Sequence, residues 1–482
     1  MSLNAPLVSA EDRARFIRDR LPPHGLFAGM NWRISPKPFL LGPELAQELE
    51  TLGRVLLQFY RAANLLYRRS VEGKQPAWVA GLLDQGKPED LLALQRAPAF
   101  KSDLPRVIRP DILLTEQGFS ITELDSVPGG IGLTGWLNQA YAAAGGRIPP
   151  NDLRRFDLMN QGAPLSPRGA GGEGGDTPGA DGFMGSQVLG GASGMIEGFS
   201  SIFGDAARVH LVVSEEAATY RPEMEWMAAQ LGSPRFEVRD ARFTDFQPGD
   251  AVYRFFELFD LANVPNAKTI FEAALEKRLR LTPSPKPLFE EKLLFALLWN
   301  RNLREFWRRE LGEGFLARIL KLVPYSWVVD PAPLPPHAAI PELNLTDWQQ
   351  LKVLSQRERE LVLKVSGYSP EAWGARGVYL GSDLSTADWS MAVDKALAGF
   401  GRSPYLLQRY HKPKIVEASY FDFEARRMVA MPGRVRLCPY YFVSGEGDAA
   451  RAKLGGVLAT ICPADKKIIH GMQDAILAPC VP

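Results

Sequence analysis

Residues 109–130 read RPDILLTEQGFSITELDSVPGG, two strand-like runs on either side of Glu116-Gln117-Gly118. A three-residue connection with glycine in the left-handed position suits a tight hairpin. If Thr115 then faces Phe119, Asp111 lies across from Glu123 and Arg109 across from Asp125. Strand side chains alternate with period two, so all four groups share one face. Three carboxylates and a guanidinium therefore meet at the open end. Like charges placed opposite each other are destabilising, and this pairing asks for a metal or an arginine between them. Magnesium suits the acids, because it takes carboxylate oxygens while keeping positions for phosphate. The plainer alternative is the polar end of a surface hairpin with Arg109 neutralising one acid. A one-residue slip in register would scatter the groups onto opposite faces.

Just beyond the hairpin, Gly130, Gly132 and Gly135 spell GxGxxG ahead of the helix-like run TGWLNQAYAAAG. A dinucleotide-dependent oxidoreductase is thus one alternative. Against it, the preceding strand ends in Glu123 and Asp125, whose charge repels a pyrophosphate, and the chain continues into RIPPNDLRRFD rather than a second apolar strand. The glycines are expected to turn the chain beside the acids and begin the helix.

Residues 361–381, LVLKVSGYSPEAWGARGVYLG, read as strand, glycine-containing loop, strand. Lys364 sits in an apolar strand, where a lysine either snorkels to solvent or meets an anion in a cleft. Gly367, Gly374 and Gly377 let the loop bring backbone amides towards phosphates. In SPYLLQRYHKPK, Gln408 and Tyr410 end an apolar strand, suited to reading an adenine ring or forming the polar tip of an edge strand. Arg434 and Arg436 share a strand face in GRVRLCPYYFV, and one of them, Arg436, is expected in the cleft. No GxxxxGK[ST] occurs, so the chain is not a P-loop protein.

At 482 residues the chain needs several cores. Apolar residues make up 46% and charged ones 23%, which argues against a largely disordered or fibrous chain. With 56 Lys and Arg against 55 Asp and Glu, no global field exists to hold a nucleic acid or an anionic membrane. The start MSLNAPLVSAEDRARFIRD lacks a secretory pattern, and a cytoplasmic location is expected. Cys438, Cys462 and Cys480 lack metal or disulfide spacing and read as buried thiols.

Residues 42–69 place Leu45, Leu49, Leu52, Leu56, Phe59 and Ala63 on one helical stripe. Residues 161–204 are so rich in Gly, Pro and Ser that a linker or mobile loop is expected. VHLVVSEEA, RFEVRDARF and AVYRFFELF alternate with helical periods, as in a parallel α/β layer. EEKLLFALLWNRNLREFWRREL (residues 290–311) reads as one long amphipathic helix. The resulting division is 1–150 (helices plus the acidic hairpin), 151–205 (linker), 206–290 (α/β unit) and 291–482 (antiparallel α+β unit).

Together, the acidic hairpin, the lysine strand with its loop and the QRY segment resemble the circularly permuted ATP-grasp fold of glutathionylspermidine synthetase and its relatives. In that family an Arg-x-Asp strand precedes a Glu-x-Asn strand. Here Arg109-Pro110-Asp111 and Glu123-Leu124-Asp125 correspond, with Asp125 in place of asparagine. The resemblance spans roughly residues 100–440 and also covers the order of the elements, but only the hairpin is specific. The loop is longer and less glycine-dense than the family's.

The resemblance implies an ATP-grasp-like fold with a small α/β unit, ATP and Mg2+ as cofactors, and an ADP-forming carboxylate–amine ligase acting through an acyl phosphate. Its partners would be small-molecule or peptide acids and amines, with no nucleic acid and no membrane. It assigns Asp111, Glu123 and Asp125 to magnesium, Arg109 to the transferred phosphoryl group or acyl phosphate, Lys364 to ATP phosphates and Gln408 to adenine. A catalytically inactive nucleotide-binding or regulatory protein is a further alternative.

Overall fold

The computed structural model describes residues 9–22, 32–145, 187–232, 234–374, 376–467, 469 and 473–482. It is a mixed α/β architecture with several sheets. The largest sheet has seven strands. Its path runs Phe39–Leu40, Ile476–Val481, Arg451–Pro463, Gly433–Ser444, Val107–Thr115 and Gly118–Asp125, with Ile415–Val416 also on Gly433–Ser444. The acidic hairpin is thus the edge of a sheet built mostly from the C-terminal residues.

Both faces of this sheet are covered, which explains the unbroken apolar run in Gly433–Ser444. Val435, Leu437, Tyr441 and Val443 point to one core, while Cys438, Tyr440 and Phe442 point to the other. Helix Pro43–Val71 lies on the first face, with Leu49, Leu52, Leu56, Phe59 and Ala63 buried and Leu45 partly so. There the Tyr441 hydroxyl donates to Leu49 O at 2.6 Å. Helices Ile131–Gly145 and Gly194–Ser201 cover the second face.

The second of these corrects the linker expectation. Residues 187–204 are ordered, with Met195 and Phe199 fully buried. A Cβ on Gly198 would stand 2.2 Å from the Phe442 ring, and one on Gly194 2.5 Å from Gly455 O. Small residues here let a helix touch a sheet, so composition read as freedom is close packing. The remainder of that expected linker, residues 151–186, lies outside the described residues.

A second sheet is fully parallel, in the order Phe236–Asp240, Val209–Val213, Ala251–Phe255, Arg280–Thr282. A third is antiparallel: Val378–Leu380, Leu361–Val365, Tyr405–Arg409, Ser326–Val329. The expected long helix over 290–311 is broken into a turn at Pro287–Glu290, helices Leu294–Trp299 and Arg304–Leu322, and a turn between them. Asn300 causes one break, accepting the N–H of Asn302 at 3.0 Å in competition with the helix. Among the described residues no helix is long and apolar enough to cross a membrane. All three cysteines are buried and unpaired as disulfides.

Candidate active site

The hairpin brings its four charged residues together by a route the sequence does not suggest. Its tip closes on a two-residue connection, with Thr115 opposite Gly118 (φ +123°) rather than Phe119. That register would put Asp111 opposite Thr122. A β-bulge between Asp111 and Ile112 inserts Thr122 as an extra residue, so Asp111 faces Glu123 and Arg109 faces Asp125 after all. The Thr122 hydroxyl donates to Asp111 O at 3.2 Å, bracing the bulge.

Each acid has found a cation. Arg109 lies 3.2 Å from Asp111 and 3.0 Å from Asp125, and Arg436 lies 3.3 Å from the other Asp111 oxygen. Glu123 pairs with Lys292 at 2.9 Å. Burial pushes the Asp111 carboxyl up, but the two guanidinium groups outweigh it and hold it below its ordinary range. Burial likewise opposes ionisation of Glu123, and Lys292 and Lys364 reverse that effect. For Asp125 burial prevails over Arg109, and its carboxyl is raised.

Arg109, Asp111, Glu123, Asp125 and Arg436 line a cavity of about 340 Å³. Its other walls come from Glu216, Tyr220 and Glu257 at the ends of the parallel strands, where α/β sheets commonly bind ligands, and from Trp373 and Gly374 of the loop. An adjoining cavity of about 130 Å³ is lined by Lys364, Gln408 and Tyr410, together with Asp111, Glu123 and Arg436. There the Lys364 ammonium donates to Thr122 O at 2.8 Å and Gln408 Oε1 at 2.9 Å, and burial lowers its pKa to about 8. Arg434 is elsewhere, donating to Ala464 O and to Lys466 O at 3.0 Å. Of the two arginines, the cleft holds Arg436.

Two loop glycines serve packing. A Cβ on Gly367 would meet Glu290 O at 1.5 Å, and one on Gly377 would meet Val365 at 2.5 Å. Only Gly374 (φ +65°) lines the larger cavity, while Gly367 lines a recess of about 50 Å³ beside it. The glycines at 130–135 are also committed. Glu223 Oε2 accepts the Leu133 N–H at 3.1 Å, and the N–H groups of Leu133, Gly132 and Gly130 favour its charged form against burial. A Cβ on Gly132 would strike Glu223 O at 2.4 Å. The helix start that a dinucleotide would need is filled by a carboxylate of the chain itself, and the oxidoreductase alternative loses its site.

Sequence reasoning missed a hub at Glu290-Glu291-Lys292. Glu290 takes Arg254 at 2.6 Å and the Leu258 N–H at 3.0 Å. Glu291, fully buried, takes Lys87 at 2.5 Å and the Ser366 hydroxyl at 3.1 Å. Lys292 reaches both Glu123 and, at 3.2 Å, Ala372 O of the glycine loop. Three consecutive residues thus tie the parallel sheet, the loop and the hairpin together. The available signal was a charged triplet directly before the apolar run LLFALLW.

Among the described residues no group of three or more His, Cys, Asp or Glu side chains is placed to hold a metal ion. The acids therefore do not form a dedicated cage. They do fit magnesium that arrives on a nucleotide, which needs only one or two carboxylates and completes its shell with phosphate oxygens and water.

Two solved structures are similar to the chain along most of its length. One is a glutathione synthetase-like effector from Globodera pallida in its apo form, with 10% identity, TM-score 0.49, and coverage of 93% of this chain and 90% of that one. The other is the "putative gamma-glutamylcysteine synthetase" of Methylobacillus flagellatus KT, with 12% identity, TM-score 0.36, and coverage of 92% and 87%. No protein-family model and no curated protein matches. The functional reading rests on the cleft itself.

Proposed function

We propose that the chain is an ATP-dependent carbon–nitrogen ligase that joins a small-molecule or peptide carboxylate to an amine and leaves ADP. The observation that carries this reading is the join between the two cavities, both lined by Asp111, Glu123 and Arg436. A nucleotide fits across that join with its base towards Gln408 and Tyr410 and its phosphates towards Arg109.

Magnesium carried by the nucleotide would be held by one or two of the carboxylates Asp111, Glu123 and Asp125, where it would neutralise phosphate charge. Lys364, Lys292 and Arg436 offer donors to the phosphates. Arg109 meets the phosphoryl group passing to the carboxylate and then the acyl phosphate, in a site whose donors are already oriented. The amine then attacks the acyl carbon. A carbon–nitrogen bond forms, the carbon–oxygen bond to phosphate breaks, and the amine gives up a proton.

The test is to incubate the pure protein with ATP, magnesium and pools of carboxylic acids and amines. ADP, phosphate and a joined pair identified by mass spectrometry are expected. Formation of AMP and pyrophosphate would sink the acyl-phosphate mechanism.

A further inference from the structure

Three strands of the antiparallel sheet, Leu361–Val365, Tyr405–Arg409 and Ser326–Val329, set one polar side chain each in a row. Gln408 stands opposite Ser326 on one neighbour and Val362 on the other, while Lys364 stands opposite Leu406. Residues two apart in a strand share a face, so Ser326, Gln408 and Lys364 fall side by side. All three are buried, at 2%, 1% and 7% exposed. Polar groups buried in this way must satisfy one another.

They do so in a single chain of hydrogen bonds. The Lys364 ammonium donates to Gln408 Oε1 at 2.9 Å, Gln408 Nε2 donates to Ser326 Oγ at 3.2 Å, and the Ser326 hydroxyl donates to Pro324 O at 2.8 Å. Both ends fix its direction. An ammonium can only donate and a carbonyl can only accept, so neither the hydroxyl nor the amide can turn round without breaking the chain. The other anchor of the ammonium is the carbonyl of Thr122 at 2.8 Å, the residue that the bulge leaves outside the strand pairing. Two of its three N–H groups are thus committed, and among the described residues the third has no acceptor. Lys364 lines the 130 Å³ cavity together with Asp111, Glu123 and Arg436.

We infer that Gln408 and Ser326 are positioning residues for Lys364. They hold its ammonium so that one N–H is left for a nucleotide phosphate, and they themselves read neither phosphate nor base. Each end of the Gln408 amide is already engaged inside the sheet, and at 1% exposure the residue has almost no surface to offer a ligand. The inference rests on the reading of Lys364 as a contact to ATP phosphates.

A double-mutant cycle on the full chain tests it, with calorimetric affinity for magnesium-ATP and magnesium-ITP as the readout. Gln408→Met and Ser326→Ala should each weaken magnesium-ATP binding by about threefold to tenfold, the worth of one hydrogen bond. In a Lys364→Met background the same changes should cost less than about twofold, because the group they position is gone. Residues that merely hold the sheet together would cost as much in either background. The ratio of ATP to ITP affinity should stay at the parent value, since the two nucleotides differ only at the base. Ser326→Ala removes a single oxygen and carries the cycle alone should Gln408→Met fail to fold in a thermal melt. Equal losses with and without Lys364, unchanged or tighter binding in the single variants, or a shifted ATP-to-ITP ratio would overturn the inference. A parent that binds no magnesium-ATP, or a Lys364→Met variant that binds it like the parent, would instead overturn the phosphate reading beneath it.

Discussion

The two walls of the cleft solve the burial of charge in opposite ways. On the hairpin wall, Arg109 is held by two acids, and Asp111 by two arginines. On the lysine wall, the Lys364 ammonium is equally buried but among the described residues hydrogen-bonds only neutral oxygens, those of Thr122 and Gln408, while Glu123 and Asp111 act on it from beyond contact. A buried ion pair is hard to break because removing one partner strands the other. An ammonium without a contacting anion is instead exposed to the full cost of burial, which lowers its pKa although Glu123 and Asp111 oppose the fall. The first wall holds its charges in pairs, and the second holds an ammonium that contacts no carboxylate among the described residues.

The sharpest way to break this contrast is Arg109→Met. It leaves Asp111 with one of its two arginines and takes the arginine from Asp125, and a stability loss of about 3–5 kcal/mol is expected in urea unfolding. A loss below about 1 kcal/mol would mean that the hairpin wall is held by packing alone. By the same logic Asp111→Asn should destabilise the protein, although the sequence alone suggests relief of repulsion.

Glu223, which caps the turn after the hairpin, tests the wall through pH. Burial raises its carboxyl to about 7, against the backbone N–H groups that pull it down. The folded protein thus prefers the neutral form. That contribution is complete below the ordinary carboxylate range and is lost as pH rises through about 7. Glu223→Gln should therefore gain on the parent between pH 5 and pH 8, by about 2.5 kcal/mol from linkage. Parallel stability curves would place the charge elsewhere.

On the lysine wall, Lys364→Met keeps the aliphatic stem and removes a desolvated charge. The apo protein should melt at the same temperature or higher, while magnesium-ATP binding weakens by roughly one to two decades, or about 1.5–3 kcal/mol. A variant with unchanged affinity would end the assignment of this strand to phosphate. In the parent near pH 8, nucleotide binding should take up a fraction of a proton, seen as a binding heat that varies with the buffer.

The smallest effect is expected at Lys292. It joins the walls through Glu123 and Ala372, and Lys292→Met should cost about 1–2 kcal/mol of stability and loosen the glycine loop. Hydrogen exchange across residues 366–377 would report that loosening. Unchanged protection would mean that Glu291 and Ser366 suffice to hold the loop.

The charged face of the hairpin was legible because strand alternation is local: residues two apart share a face whatever the rest of the chain does. The same holds for Lys364, conspicuous in an apolar strand, and for the leucine stripe in Pro43–Val71. Even so, the Asp111–Glu123 pairing was reached through a turn that does not form, and an unforeseen bulge at Thr122 restored it. A bulge depends on the neighbouring strand and leaves no local mark. Likewise, the expectation of Arg436 rather than Arg434 in the cleft had no local ground, because Asp111, more than 300 positions earlier, decides it. Glycine was the most misleading residue. At 194–198 and 367 the sequence offered a mobile linker or a phosphate loop, and at 130–135 the turn and helix start that do form. What these positions meet is Glu223, Phe442 and Glu290, and only the tertiary structure brings those partners close enough for a side chain to be forbidden.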